Sequence, residues 1–296
     1  MLMSKLRVVA CVLVFSLILA VAETPSVYAG SGRADSDYSG SGHAGSVDSG
    51  SGHADMDVSQ RALPDGVACV KIDVQTKNRL RIGVHAIGCD RRYYFAVGAD
   101  EHELDIPLMF GNDSYALDLY EELEDNNYKL VASRRVDVNL DDYSEAYLAS
   151  SVMAPWGDSA AATSIAAKVT QGKRGDFAIF LAIYKYVTEN IVYDITKETG
   201  SGYRSAPDET VESGYGICLD FAVLLATMLR YSGVKCKLVF GRAKDTNADA
   251  LHSWNEVYLW GRWVVVDPTR DAISYVNRSA YKFNKPSKDY VGDITF

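Results

Sequence analysis

A turn broken by glycines runs directly into an apolar helix at Gly214-Tyr215-Gly216-Ile217-Cys218-Leu219-Asp220-Phe221-Ala222. This stretch narrows the possible folds more than any other. Behind Cys218, apolar residues recur at Phe221, Leu224, Leu225, Met228 and Leu229, the spacing of one helical face, and Gly233 stands where a helix stop belongs. One thiol is thereby placed at a helix N-terminus. Backbone N–H groups without intrahelical partners, together with the helix dipole, favour a thiolate there.

The apolar helix needs a surface to cover it, and the chain supplies one downstream. His252-Ser253-Trp254-Asn255-Glu256-Val257-Tyr258-Leu259 and Trp263-Val264-Val265-Val266-Asp267, stopped by Pro268, read as an antiparallel hairpin turned at Gly261-Arg262. If Tyr258 pairs with Trp263, His252 falls opposite Thr269, and Asp267 lies two residues away on the same face. That diagonal spans about 7–8 Å between backbones, within reach of an imidazole and a carboxylate. A strict two-residue turn at Gly261-Arg262 would leave them too far apart without a bulge. Cys218, His252 and Asp267 are therefore the candidate nucleophile, base and orienter. The imidazole would hold the thiol proton and later give it to a leaving amine, and the carboxylate would fix the tautomer. The Cys218 amide is one candidate oxyanion donor; Tyr193 and Tyr215 are candidates for a second.

Simpler readings of the same residues exist. Most helix-borne cysteines are small core hydrophobes. Zinc is the other common home for Cys with His, but no paired CxxC or HxxxH spacing is present, so neither metal nor cofactor is expected. Trp254, Trp260 and Trp263 read as core or site walls, and Asp220 and Glu256 as structural hydrogen-bonding groups.

These blocks resemble the transglutaminase-like superfamily in its bacterial exported form. The resemblance covers roughly Ala161 to Thr269. It rests on Gly216 to Ala222, Leu229-Arg230-Tyr231-Ser232-Gly233-Val234, His252 to Tyr258 and Gly261 to Thr269, in order and at compatible spacing. It implies a papain-like fold and a Cys-His-Asp triad at Cys218, His252 and Asp267. Animal transglutaminases carry Trp after the cysteine, where this chain has Leu219, and they carry calcium sites that find no matching acidic loop here. The superfamily includes cross-linking enzymes, peptidases, amidases and members without activity.

Upstream, Lys5 and Arg7 precede an apolar run from Val8 to Ala22 broken only by Ser16. This reads as a secretory signal, with small-residue cleavage sites after Ala22 or Ala29. Val8-Val9-Ala10-Cys11 resembles a lipoprotein box, but Cys11 precedes most of the apolar run, which argues against lipidation. A retained anchor is the alternative, and no later run is long enough to span a membrane. Export predicts an oxidising environment, in which Cys69 and Cys89 either pair or remain two buried apolar thiols, while Cys236 reads as core.

The expected architecture is α+β, a papain-like transglutaminase core preceded by a small β-sandwich. Residues 1–29 form the signal. Residues 30–60 form a linker carrying the Gly-Ser-Gly repeat, whose His43 and His53 are too loosely tethered to hold a metal well. Residues 61–141 form the sandwich, with strands expected at Val67–Val74, Leu80–Ile87, Tyr93–Val97, Glu103–Pro107, Ser114–Leu119 and Lys129–Val138. Residues 142–296 form the catalytic domain. It should open on a linking helix from Asp142 to Val152, followed by helices capped by Asp158 and Asp176. Loops at Ser201–Thr210 and Lys244–Leu251 should wall the cleft. The formal net charge of −9 offers no basic field for nucleic acid. The expected partner is a protein or peptide substrate, cell-wall peptide included. The competing expectation is a catalytically silent surface or extracellular binding module.

Overall fold

The computed structural model of the 296-residue chain describes residues 54–59, 65–89, 91–123, 127–197, 199, 203–244 and 251–296. The expected signal, the repeat with His43 and His53, and most of the loop at 244–251 lie outside the described residues. The structure divides into two compact units between Ala146 and Tyr147.

The first unit holds two antiparallel sheets. One orders β1 (Ala54–Ser59), β2 (Val67–Val74) and β5 (Glu103–Pro107) as β1-β2-β5. The other orders β3 (Leu80–Ala86), β4 (Arg92–Val97), β6 (Ser114–Glu122) and β7 (Tyr128–Asp137) as β4-β3-β6-β7. Alternation buries one face of each: Val70, Ile72, Leu104 and Ile106 on one sheet, Ile82, Val84, Leu117 and Leu119 on the other. The Tyr93 hydroxyl on β4 donates to the Pro107 carbonyl of β5 and accepts the Met109 amide at 3.1 Å, joining the sheets.

In this unit one expectation fails, and one of two alternatives for a cysteine pair is the one observed. The linker does not run to residue 60, because Ala54–Ser59 pairs antiparallel with β2. Asp55-Met56-Asp57-Val58 alternates as a strand should, and Met56 is fully buried. The Cys69–Cys89 disulfide is absent. Cys69 lies on β2 in one sheet, Cys89 follows β3 in the other, and both are free. The Cys69 thiol donates to Glu103 at 2.9 Å; burial and that carboxylate push its pKa up to about 12.

The chain crosses this division within a short 3₁₀ turn, Tyr143–Leu148, where a longer helix was expected. The helices of the second unit are α1 (Ala160–Thr170), α2 (Asp176–Asn190), α3 (Pro207–Ser213), α4 (Cys218–Tyr231) and α5 (Pro268–Val276). Two short strands, β8 (Val192–Tyr193) and β9 (Tyr215–Gly216), pair in parallel, and β10 (Cys236–Ala243), β11 (His252–Leu259), β12 (Arg262–Val266) and β13 (Tyr290–Thr295) form an antiparallel sheet ordered β12-β11-β10-β13. Helix α4 is the centre. Every residue from Leu219 to Arg230 is buried, so this helix is enclosed on all sides and not on one face only. Phe221, Leu224, Leu225, Met228 and Leu229 share a core with Phe180, Ile183 and Val187 of α2 and with Val257, Leu259, Val264 and Val266 of the sheet. Burial of each such side chain contributes about 1.5–3 kcal/mol. The helix ends in paired Schellman bonds, Gly233 N to Arg230 O at 3.0 Å and Val234 N to Leu229 O at 2.9 Å.

Capping differs from expectation. Ser159, not Asp158, holds the N-cap position of α1 and makes no side-chain cap. Asp208 on α3 caps α1 from a distance, accepting Ala161 N at 3.1 Å and Ala162 N at 2.9 Å. Helix α3 takes the last four residues, Pro207 to Thr210, of what the sequence presents as a loop at Ser201–Thr210. Gly175 takes the cap position before Asp176, which is the first residue of α2.

Candidate active site

The nucleophile candidate sits where helix, short strand and turn meet. Gly216 is the last residue of β9, and a Cβ there would come within 2.6 Å of the Asp220 Cβ, so the turn into α4 needs glycine. Cys218 then opens α4, only partly buried and thus reachable. Its amide lies in the first turn, where backbone N–H groups have no intrahelical acceptor.

The β11–β12 hairpin delivers the other two residues. Tyr258 pairs with Trp263 and Leu259 with Arg262, leaving Trp260-Gly261 as a two-residue turn with φ of 53° and 75°. The turn therefore lies one residue earlier than Gly261-Arg262, and no bulge is needed between His252 and Asp267. His252 is the first residue of β11. Asp267 follows β12 and caps α5, its Oδ1 accepting Arg270 N at 3.0 Å. Its Oδ2 meets His252 Nε2 at 2.7 Å and accepts the Tyr290 hydroxyl at 2.9 Å. With Nε2 committed, Nδ1 is the ring nitrogen left for the thiol, and Cys218 is within hydrogen-bonding reach of the ring.

Electrostatics follow from this packing. Burial opposes charge on His252, but the Asp267 carboxylate, its hydrogen bond and the Cys218 sulfur outweigh it and push the imidazole up to about 10. Burial likewise opposes charge on Asp267; His252 and the bonds from Arg270 and Tyr290 overcome it and hold the carboxyl below its usual value. Each group thus favours the charged form of the other.

The two tyrosines considered as oxyanion donors separate. Tyr193 pairs with Gly216 in the β8–β9 ladder, and burial, with the nearby Cys218 charge, raises its phenol to about 12. It therefore stays an O–H donor near the sulfur. Tyr215 is 55% exposed. Trp254 is buried and stacks near the His252 ring, with centroids 6.2 Å apart. Trp260 is exposed on the hairpin turn, against the core assignment, and packs on Phe177. Glu256 pairs with Lys237 at 3.1 Å, and Cys236 is buried core as expected.

Sequence reasoning missed Tyr290, Asn255, Lys197 and Tyr203. Asn255 is fully buried and donates to Ala222 O of α4 at 2.9 Å and Lys237 O of β10 at 3.1 Å, tying the His252 strand to the Cys218 helix. Its place inside the His252-Ser253-Trp254-Asn255 block, on the face opposite His252, was the available signal.

The sequence pattern of the transglutaminase-like superfamily matches residues 163–268, a span that includes Cys218, His252 and Asp267. Over this segment the chain is similar to that superfamily. Human kyphoscoliosis peptidase is 31% identical over 97 residues, 30% of this chain and 15% of that protein. The mouse protein is 29% identical over 108 residues, 33% of this chain and 16% of its own. The match thus spans only about a sixth of the curated relatives' length. Among solved structures, a cysteine protease candidate from Cytophaga hutchinsonii superposes with TM-score 0.43 at 16% identity, covering 74% of this chain and 81% of its own. The periplasmic domain of TgpA from Pseudomonas aeruginosa gives TM-score 0.37 at 15% identity, covering 76% of this chain and 96% of its own. Among the described residues no helix is long and apolar enough to cross a membrane, and no group of three or more His, Cys, Asp or Glu could hold a metal ion.

Proposed function

We propose that the transglutaminase-like domain transfers acyl groups from protein or peptide amide bonds through a thioester on Cys218. The observation that carries this reading is the 2.7 Å contact of buried His252 with buried Asp267, with the Cys218 thiol within reach of the same ring. The thiolate attacks the amide carbonyl carbon, and a C–S bond forms as the carbonyl π pair moves to oxygen. In this reading the Cys218 amide and the Tyr193 hydroxyl donate to that oxyanion. The His252 imidazolium gives its proton to the amide nitrogen as the C–N bond breaks, releasing ammonia or an amine. Water or a second amine then loses a proton to His252 and attacks the thioester, and the thiolate leaves. Water as acceptor gives a peptidase or amidase; an amine gives cross-linking. In this reading the enzyme is exported, which the apolar run behind Lys5 and Arg7 supports, and it acts on surface or extracellular proteins and peptides, cell-wall peptides included.

The test uses a mechanism-based thiol reagent and glutamine peptides, with and without an amine donor. Wild type should label at Cys218 and turn over peptide, and His252→Ala should fall by about 10²–10⁴-fold in both. Equal labelling of the two proteins would remove His252 from its assigned role. Turnover that survives Cys218→Ala would remove the thioester.

A further inference from the structure

A buried carboxylate sits two residues past the nucleophile candidate and is fully engaged. Asp220 is 0% exposed; its Oδ2 accepts Ile217 N at 2.9 Å and Lys197 Nζ at 2.7 Å, and its Oδ1 accepts the Tyr203 hydroxyl at 2.7 Å. The Lys197 ammonium also lies 4.9 Å from the Tyr203 ring centroid. The Ile217 amide bond is the inward half of a capping box whose N-cap residue has no hydroxyl to return it.

This arrangement poses an electrostatic problem. A carboxylate in the first helical turn draws on the same positive potential that would stabilise a thiolate at Cys218. Left alone, the anion would oppose negative charge on sulfur. Lys197 sits on the carboxylate and cancels it. Among the described residues, the groups at this helix end include Lys197 and Tyr203 on Asp220, Tyr193 with Cys218 and Asp194 in its electrostatic surroundings, and His252 backed by Asp267, Arg270 and Tyr290. Only Lys197 neutralises Asp220 directly among the described residues.

We propose that Asp220 and Lys197 form a charge-balanced pair that positions Cys218 and keeps the helix-terminal potential available to its thiolate. The pair also fixes the segment after β8, and with it the Tyr193 hydroxyl, against the start of α4. The inference rests on reading Cys218 as the nucleophile. Both are positioning residues; neither touches the reacting atoms.

The experiment is alkylation of Cys218 by iodoacetamide across pH, read at that residue by peptide mass spectrometry, in the full chain. Lys197→Met uncovers the Asp220 anion and should raise the midpoint of the profile by about one pH unit, within the range for a charge a few ångströms away. Lys197→Arg should keep the wild-type midpoint. Asp220→Asn leaves the ammonium unopposed and should lower it, and the double variant should return close to wild type. A purely structural role predicts single variants that lose reactivity in the same direction. That outcome, or a Lys197→Met midpoint that does not move, overturns the proposal. If Asp220→Asn does not melt cooperatively, the Lys197→Met and Lys197→Arg pair decides alone. Failure of the underlying reading looks different: His252→Ala would then leave the wild-type profile unchanged.

Discussion

At the residue scale, His252 and Asp267 carry a pH signature that follows from their burial. The His252 pKa rises from 6.5 to about 10 on folding. The stability its charge provides is therefore complete below about 6.5 and lost as pH rises through 10. Asp267 is lowered from 3.8, so its contribution is present above 3.8 and lost as pH falls through its folded value. Asp267→Asn keeps the acceptor for the Arg270 amide but removes the anion that holds His252 up. The melting temperature of wild type should exceed that of the variant at pH 7, and the gap should shrink as pH rises through about 10. A gap that is constant across this range would contradict the ion pair. The same substitution should pull the alkaline limb of the rate profile to lower pH. The positions of Cys218, His252 and Asp267 on a helix start and a hairpin were legible in the sequence, because helix start, strand parity and the Pro268 stop are all local signals. Tyr290 and Lys197 were not, because each reaches the site from a distant segment whose own pattern is unremarkable.

At the element scale, the distance between thiol and imidazole depends on how β11 is seated against α4, and one buried amide sets that contact. Replacing Asn255 by Leu would remove its two hydrogen bonds to the Ala222 and Lys237 carbonyls, each worth about 0.5–1.5 kcal/mol, while both carbonyls keep their backbone donors. It would also let the strand shift along the helix. A misplacement of about 1 Å can cost on the order of 10²-fold in rate. Asn255→Leu should therefore lower the melting temperature and slow Cys218 alkylation together. A lower melting temperature with an unchanged alkylation rate would show that Asn255 holds the fold without positioning the site. Most expected strand spans agree to within a residue or two, since alternation marks them directly: Val67–Val74 is a strand over the expected span, whereas Ser114–Leu119 falls three residues short of the observed end at Glu122. The caps were not readable. Asp208 serves α1 from another helix, and no pattern near Asp158 could reveal that. Strand β1 was hidden by the Gly-Ser-rich repeat before it, although its alternation was present.

At the scale of the molecule, the boundary expected at residue 142 stands close to the division between Ala146 and Tyr147. The core around α4 draws only on residues from Ala154 to Phe283. One polar tie reaches further back. Arg230 is buried within α4, and its Nε donates to Cys236 O at 2.9 Å while its Nη1 donates to Ala149 O at 3.1 Å. A guanidinium enclosed in this way has no water to replace a lost acceptor, and a hydrogen bond to a charged group is worth about 1.5–3 kcal/mol. The residues between the 3₁₀ turn and α1 are therefore part of the domain's stability even though they carry little regular structure. A fragment of residues 142–296 should unfold cooperatively and keep Cys218 alkylation at the full-length rate. One of residues 158–296 retains every α-helix and strand of the domain but lacks Ala149 and the buried Ala154, and should be less stable by more than the value of that bond. Denaturant unfolding of the two fragments decides the point: equal stabilities would mean that Arg230 finds another acceptor, and that the segment before α1 is dispensable to the fold.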